Sequence, residues 1–160
     1  MKLRRACLDD YGIIKALYDD LSAEMIYVRD EPPPPRPDVD AEDFGWPVFP
    51  EFTIDVFKDE LGSDSYYYFV ITEGLETIGF FKAIKYTKEI RIGLWCMDKK
   101  YQHLKDEAWD KFLKTKEIRN RSDLSVGFFP SMVESRKWFE SKGFVKRGVF
   151  WHLERKKRDW

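Results

Sequence analysis

Residues 89–116 read EIRIGLWCMDKKYQHLKDEAWDKFLKTK. Ile90 to Met97 is an apolar run of strand length, Asp98 to His103 is polar, and Leu104, Ala108, Phe112 and Leu113 return on one side of a helix. The stretch therefore predicts a strand, a short turn and an amphipathic helix. A strand that feeds directly into a helix leaves the helix's first N–H groups unpaired and pointing outward, which makes the junction a ready anion site.

The segments on either side supply the rest of a layered domain. Upstream, Tyr66 to Ile71 (YYYFVI) reads as a strand covered on both faces, Thr72 to Leu75 as a turn, and Glu76 to Ile84 as the return strand of a hairpin. Ile54, Phe57 and Leu61 predict a helix stopped by Gly62. Lys2 to Cys7 predicts a short edge strand, either Asp9 or Asp10 suits a cap, and Ile14, Leu17, Tyr18 and Leu21 form one helical stripe through about Ala23. Downstream, Leu124 to Phe128 predicts a strand and Ser131 to Lys142 a helix, with Ser131 and Glu134 as a capping box and Gly143 as the C-terminal cap. Phe144 to Leu153 predicts a last strand. The order is β-α-α-β-β-β-α-β-α-β, without a repeat or an internal boundary, so residues 1–160 are expected to form one domain.

Composition excludes more than it assigns. A net charge of −1 gives no argument for a nucleic-acid partner. The two cysteines, Cys7 and Cys96, have neither CxxC spacing nor neighbouring histidines, so no metal is implied, and a reducing compartment is expected. No apolar run reaches the roughly 20 residues of a membrane span, and MKLRRACLDD lacks the apolar middle of a signal peptide. A cytoplasmic protein without a membrane partner is the expectation. Arg29 to Pro50 is a proline-rich loop, and Asp30 to Asp64 carries eleven acidic residues against Arg36 and Lys58. Two readings stand for it: a solvated acidic loop, or a lid that presents Phe44, Trp46 and Phe49 beside carboxylates to an amine-bearing partner.

The element order and two local patterns resemble the GNAT superfamily of acetyl-CoA-dependent N-acyltransferases. In that family a loop of pattern Q/R-x-x-G-x-G/A follows a central strand and wraps the pyrophosphate of coenzyme A; here Met97 to Gln102 matches its approach, with Gln102 in the first position. Near the C-terminus the family often carries N-x-x-A-x-x-F-Y-x-x-x-G-F, and Met132, Ser135, Trp138, Phe139, Gly143 and Phe144 fall at its spacing.

The resemblance implies an α+β, three-layer α/β/α fold: a mixed, mostly antiparallel twisted sheet, splayed near Met97, with helices on both faces. It also implies acyl transfer from acetyl-CoA, or a related acyl-CoA, to a primary amine of a small molecule or peptide. The donor's arm would then lie along Trp95, Cys96, Met97 and Asp98. Its phosphates would meet Gln102, His103, Leu104, Lys105, Asp106 and Glu107, and Ser135 and Phe139 would border the pantetheine. Phe44, Trp46 and Arg91 would face the acceptor.

Several residues depart from the family pattern. His103, Lys105 and Glu107 replace glycines that let the backbone approach phosphate, and Glu107 adds a carboxylate where an anion would sit. The family's tyrosine acid falls at Phe139, which has no proton to give. One common position for the base falls at Arg91; Glu89, two residues earlier on the same strand face, is either that base acting through water or an ordinary strand-end carboxylate. Cys96 is a packed thiol or a nucleophile, and no histidine is near it in sequence. The competing reading is a GNAT-shaped binding or assembly module without cofactor; nucleic-acid binding through Glu154 to Arg158 is weaker. Family members commonly carry one more strand after Phe144 to Leu153. That strand is missing here, or the segment bends to serve as both, or a second copy of the chain completes the sheet.

Overall fold

The computed structural model describes residues 1–27, 51–121, 123–127, 133–147 and 152–156. One seven-stranded sheet runs in the order β1-β2-β3-β4-β5-β7-β6. Its strands are β1 (Lys2–Arg5), β2 (Tyr66–Glu73), β3 (Glu76–Lys85), β4 (Glu89–Met97), β5 (Asp123–Gly127), β6 (Val145–Arg147) and β7 (His152–Lys156). Every neighbouring pair is antiparallel except β4 and β5, which are parallel. The mixed, mostly antiparallel sheet is the expected one.

Both sheet faces are apolar because both are covered. On one face Phe69, Phe81, Ile90, Ile92, Leu124 and Val126 pack with Ala108, Trp109 and Phe112 of α3 (Lys105–Lys114), Ile118 of α4 (Lys116–Arg119) and Phe139 of α5 (Val133–Ser141). On the other, Tyr68, Val70, Phe80 and Cys96 pack with Ile14 and Tyr18 of α1 (Tyr11–Tyr27) and with Phe52 and Phe57, the latter on α2 (Ile54–Leu61).

The helix ends follow from local chemistry. Asp10 is the capping aspartate: its carboxylate accepts the Cys7 N–H at 2.8 Å and is gripped by both terminal nitrogens of Arg4, each at 2.8 Å. Thr53 Oγ1 accepts the Val56 N–H and starts α2. Gly62 does end that helix, but at φ −79°, so it needs no left-handed conformation. Gly143 at φ 91° does need it. There Phe144 N–H reaches back to the Phe139 carbonyl and the two rings meet at 5.2 Å, the paired backbone and apolar contacts of a Schellman cap.

The structure sharpens four points. Trp109, absent from the predicted apolar stripe of α3, is 1% exposed and central to the core, whereas Leu104 and Leu113 are only partly buried. The indole lies beside Ala108 and turns the buried stripe toward Phe112. Phe144 to Leu153 is not one strand: β6 and β7 pair antiparallel with each other, so the segment bends and serves as both. Glu154 to Lys156, within the segment weighed for nucleic-acid binding, pair with β5 at Asp123 to Ser125. Among the described residues β5 pairs with β4 from Glu89↔Asp123 to Ile92↔Val126, so the splay expected near Met97 opens from Gly93 onward. The Arg29 to Pro50 loop with Phe44, Trp46 and Phe49, the Ser131 cap and Met132 lie outside the described residues.

Candidate functional site

β4 is held along its whole length on one edge and along only half of it on the other. Its pairing with β3 continues to Met97↔Gly79, while pairing with β5 stops at Ile92. Successive strand residues direct their amides to alternate edges, so Gly93 to Met97 turns backbone groups toward the side that β5 has left. At that point the strand bulges: Lys82 pairs with Leu94 and Ala83 with Ile92, which leaves Gly93 without a partner. A Cβ at Gly93 would sit 3.3 Å from Ile84 Cδ1 and 3.5 Å from Lys82 Cγ, so the bare backbone opens onto the face that carries α1 and α2.

Trp95 lies on the opposite face, beside the parted edge. Its ring meets Trp138 at 5.2 Å, Trp109 at 5.7 Å and Phe139 at 6.4 Å. Its indole N–H is buried with no hydrogen-bond partner among the described residues. Phe139, at the position of the family's tyrosine acid, is 2% exposed and closed in by Trp95, Trp109, Trp138 and Phe144. Ser135 is half-buried on the same helix, and Cys96 is buried on the α1/α2 face.

The junction between β4 and α3 is a 3-10 turn, Lys99–Leu104, rather than an open loop. Asp98 caps it by accepting the Lys100 N–H at 2.9 Å, and its own N–H holds the chain to Ile78 O. Gln102 spends its amide N–H on the Met97 carbonyl at 3.0 Å, which fixes the turn against the end of β4. His103 is exposed and stacks on Tyr101. Glu107 turns along the helix to Lys111 at 3.5 Å, so its carboxylate points away from the start of α3. Leu104 supplies no side-chain cap to that helix.

The charged residues at the start of α3 are engaged with α5. Lys105 Nζ lies 4.5 Å above the Trp138 ring, and burial holds its pKa below the usual lysine value. Asp106 accepts the Trp138 indole N–H at 3.0 Å and pairs with Lys142 at 2.6 Å. The Lys142 hydrogen bond is the main reason the Asp106 carboxyl is held below its ordinary range. Glu89 and Arg91 sit on the closed half of β4, 3.6 Å apart as an ion pair, with the Arg91 guanidinium over the Tyr86 ring at 5.2 Å.

Sequence reasoning missed one cluster beside the bulge. Glu60 of α2 accepts the Tyr68 hydroxyl and pairs with Lys82 at 2.9 Å, while Lys82 Nζ also lies over the Tyr66 ring at 5.2 Å. Burial, reinforced by that bond to Glu60, pushes the Tyr68 hydroxyl pKa up. Glu60 is indistinguishable in sequence from the acidic run around it; only the fold shows that it faces inward. No helix among the described residues is long and apolar enough to cross a membrane.

No known family profile matches the sequence, and no curated protein matches it. Solved structures do match its fold. An acetyltransferase from Thermus thermophilus superposes with a TM-score of 0.69 at 15% identity, covering 97% of this chain and 96% of that one. An N-acetyltransferase from Staphylococcus aureus Mu50 gives 0.68 at 16% identity over 97% of each chain. An acetyltransferase of the GNAT family, also from Staphylococcus aureus Mu50, gives 0.66 at 15% identity, covering 97% and 98%. The chain therefore has the GNAT acetyltransferase fold.

Proposed function

We propose that this protein transfers an acyl group from acetyl-CoA, or a related acyl-CoA, to an amine nitrogen. The observation that carries this reading is the parting of β4 from β5 past Ile92, with a bare glycine at the bulge. Two features fit a thioester-bearing arm there. The buried Trp95 indole N–H has no acceptor among the described residues, and the backbone edge of Gly93 to Met97 can pair with amides of the arm as β5 pairs with the first half of the strand. The phosphate end fits through the turn Lys99–Leu104 and the start of α3, from which Glu107 has turned away. Lys105 and Lys142, both on Trp138, are two of the cations near it, beside Lys99 and Lys100 of the turn.

The bound donor supplies an activated thioester carbonyl. The chain supplies position: holding the amine at the bulge converts a two-body encounter into a near-attack arrangement. As the C–N bond forms and the C–S bond breaks, the amine proton passes to solvent and the thiolate leaves, because Phe139 offers no proton. Glu89 stands four residues before Gly93, roughly 13 Å along the strand at about 3.3 Å per residue, beyond the reach of one bridging water, so in this reading it is the strand-end carboxylate paired with Arg91 and not the base. Thiol release from acetyl-CoA in the presence of a panel of amines tests the proposal. Release that follows both amine and enzyme concentration supports it, and no release above the protein-free rate refutes it.

A second reading is a binding module of the same fold that has lost the donor. Its observation is the start of α3, where Asp98 occupies the first cap and Lys105 is drawn onto Trp138. Binding without thiol release, or no binding at all, would favour it.

A further inference from the structure

On the α1/α2 face, the last β4–β5 pairs before the strands part carry polar atoms that have no hydrogen-bond partner among the described residues. Arg91 and Ser125 are register partners on adjacent parallel strands, about 4.8 Å apart by strand spacing. Their side chains leave the sheet on one face, since the alternating neighbours Ile90, Ile92, Leu124 and Val126 all belong to the opposite core. Ser125 is 0% exposed and its hydroxyl has no partner among the described residues. Arg91 Nε is likewise buried and unmatched, although the guanidinium rests on Tyr86 and its far end pairs with Glu89.

Unmatched buried polar atoms are unfavourable, and alanine or valine would fill the Ser125 position without leaving one. An N–H and an O–H side by side suit an oxygen acceptor, and the guanidinium charge favours a carboxylate or a strongly polar carbonyl. The bulge at Gly93 lies two residues further along β4, roughly 6.6 Å at about 3.3 Å per residue. An acceptor whose oxygen is held at Arg91 and Ser125 and whose nitrogen reaches the bulge is therefore a small one, with the two groups only a few atoms apart.

We propose that Arg91 and Ser125 bind a carboxylate or carbonyl oxygen of the acceptor. The acceptor class is then an amine with that group close to the nitrogen, as in a free α-amino acid or the amino terminus of a peptide, and not a polyamine or simple alkylamine. The inference rests on the acyl-transfer reading for the position of the reacting nitrogen.

Calorimetric titration of the full chain, without acyl donor, tests it with three sets of probes: free α-amino acids, dipeptide amides, and n-butylamine with spermidine. Heat is expected from at least one of the first two sets and none from the third. Binding by amino acids alone identifies a free carboxylate as the recognised group, and binding by dipeptide amides identifies a peptide terminus. Ser125→Ala should weaken the bound probe about tenfold while leaving the thermal midpoint unchanged or raised, because it removes an unmatched hydroxyl. Arg91→Met should weaken it at least as much; should that variant fail to fold, Ser125→Ala decides alone. Equal binding of alkylamines, no binding by any probe, or native affinity in either folded variant overturns the proposal. A separate titration with acetyl-CoA keeps the two readings apart. Amino-acid binding without acetyl-CoA binding refutes acyl transfer and leaves the oxygen subsite standing, whereas the reverse refutes the subsite alone.

Discussion

Gly79→Ala is expected to lower the thermal midpoint by roughly 2–8 °C. A Cβ at this position would lie 2.6 Å from the Cys96 carbonyl oxygen, 3.1 Å from Ile71 Cδ1 and 3.2 Å from Met97 Cγ. The nearest obstacle is backbone, fixed in the β3–β4 ladder by the pairs Phe80↔Cys96 and Gly79↔Met97, so it cannot step aside as a side-chain tip would. Overpacking of this kind costs about 1–3 kcal/mol, and the loss of glycine's freedom in the unfolded chain returns about 0.4–1 kcal/mol. A net loss of about 1–2 kcal/mol corresponds to that shift at about 2–4 °C per kcal/mol for a chain of this size. Gly93→Ala is the internal control. Its closest contact is the tip of Ile84 at 3.3 Å, and its φ is not in the left-handed region, so the midpoint should stay within about 2 °C of the native value. Melting curves of the two variants and the native chain, followed by circular dichroism, decide the matter. An unchanged midpoint for Gly79→Ala would show that β4 does not approach β3 as described, and the position of the parted edge would lose its support.

Other substitutions probe the rest of the structure. Asp10→Ala removes both the cap at Cys7 and the Arg4 pair, and should cost about 1–2 kcal/mol in denaturant unfolding. The Arg4 hydrogen bond is the main cause holding the Asp10 pKa below 3.8, so its contribution is present above that value and is lost as pH falls through the lower folded one. The native chain, but not Asp10→Ala, should therefore lose this increment of stability under acid. Phe139→Tyr places a hydroxyl inside a closed aromatic cluster and should cost about 1–3 kcal/mol; native stability would show an open acceptor beside the ring. Lys105→Glu should weaken acetyl-CoA binding measured by calorimetry, and unchanged affinity would place Lys105 outside the phosphate site.

The frame of this fold is legible because it depends on local pattern. YYYFVI, the hairpin that follows it, the β4 run and the Gly143-Phe144 helix end each carry their signal in a few adjacent residues, and each lies where those residues say. What the sequence hides are choices made across the fold. His103, Lys105 and Glu107 look alike as replacements for glycine, yet one is exposed, one lies on Trp138 and one pairs along its own helix. The split of Phe144 to Leu153 into β6 and β7 has no strong turn signal. Ser125 looks like any strand serine until its register partner and full burial are known. Glu60 and Lys82 lie 22 residues apart and meet only because α2 packs over the sheet.

The measurement that bears most directly on the account is a titration of the native chain with acetyl-CoA, read by calorimetry and by amide hydrogen exchange. The account predicts heat at millimolar donor or below, with protection gained at Gly93 to Met97, where β4 has no β5 partner among the described residues. No heat at millimolar donor, or binding that leaves those amides unprotected, would contradict it.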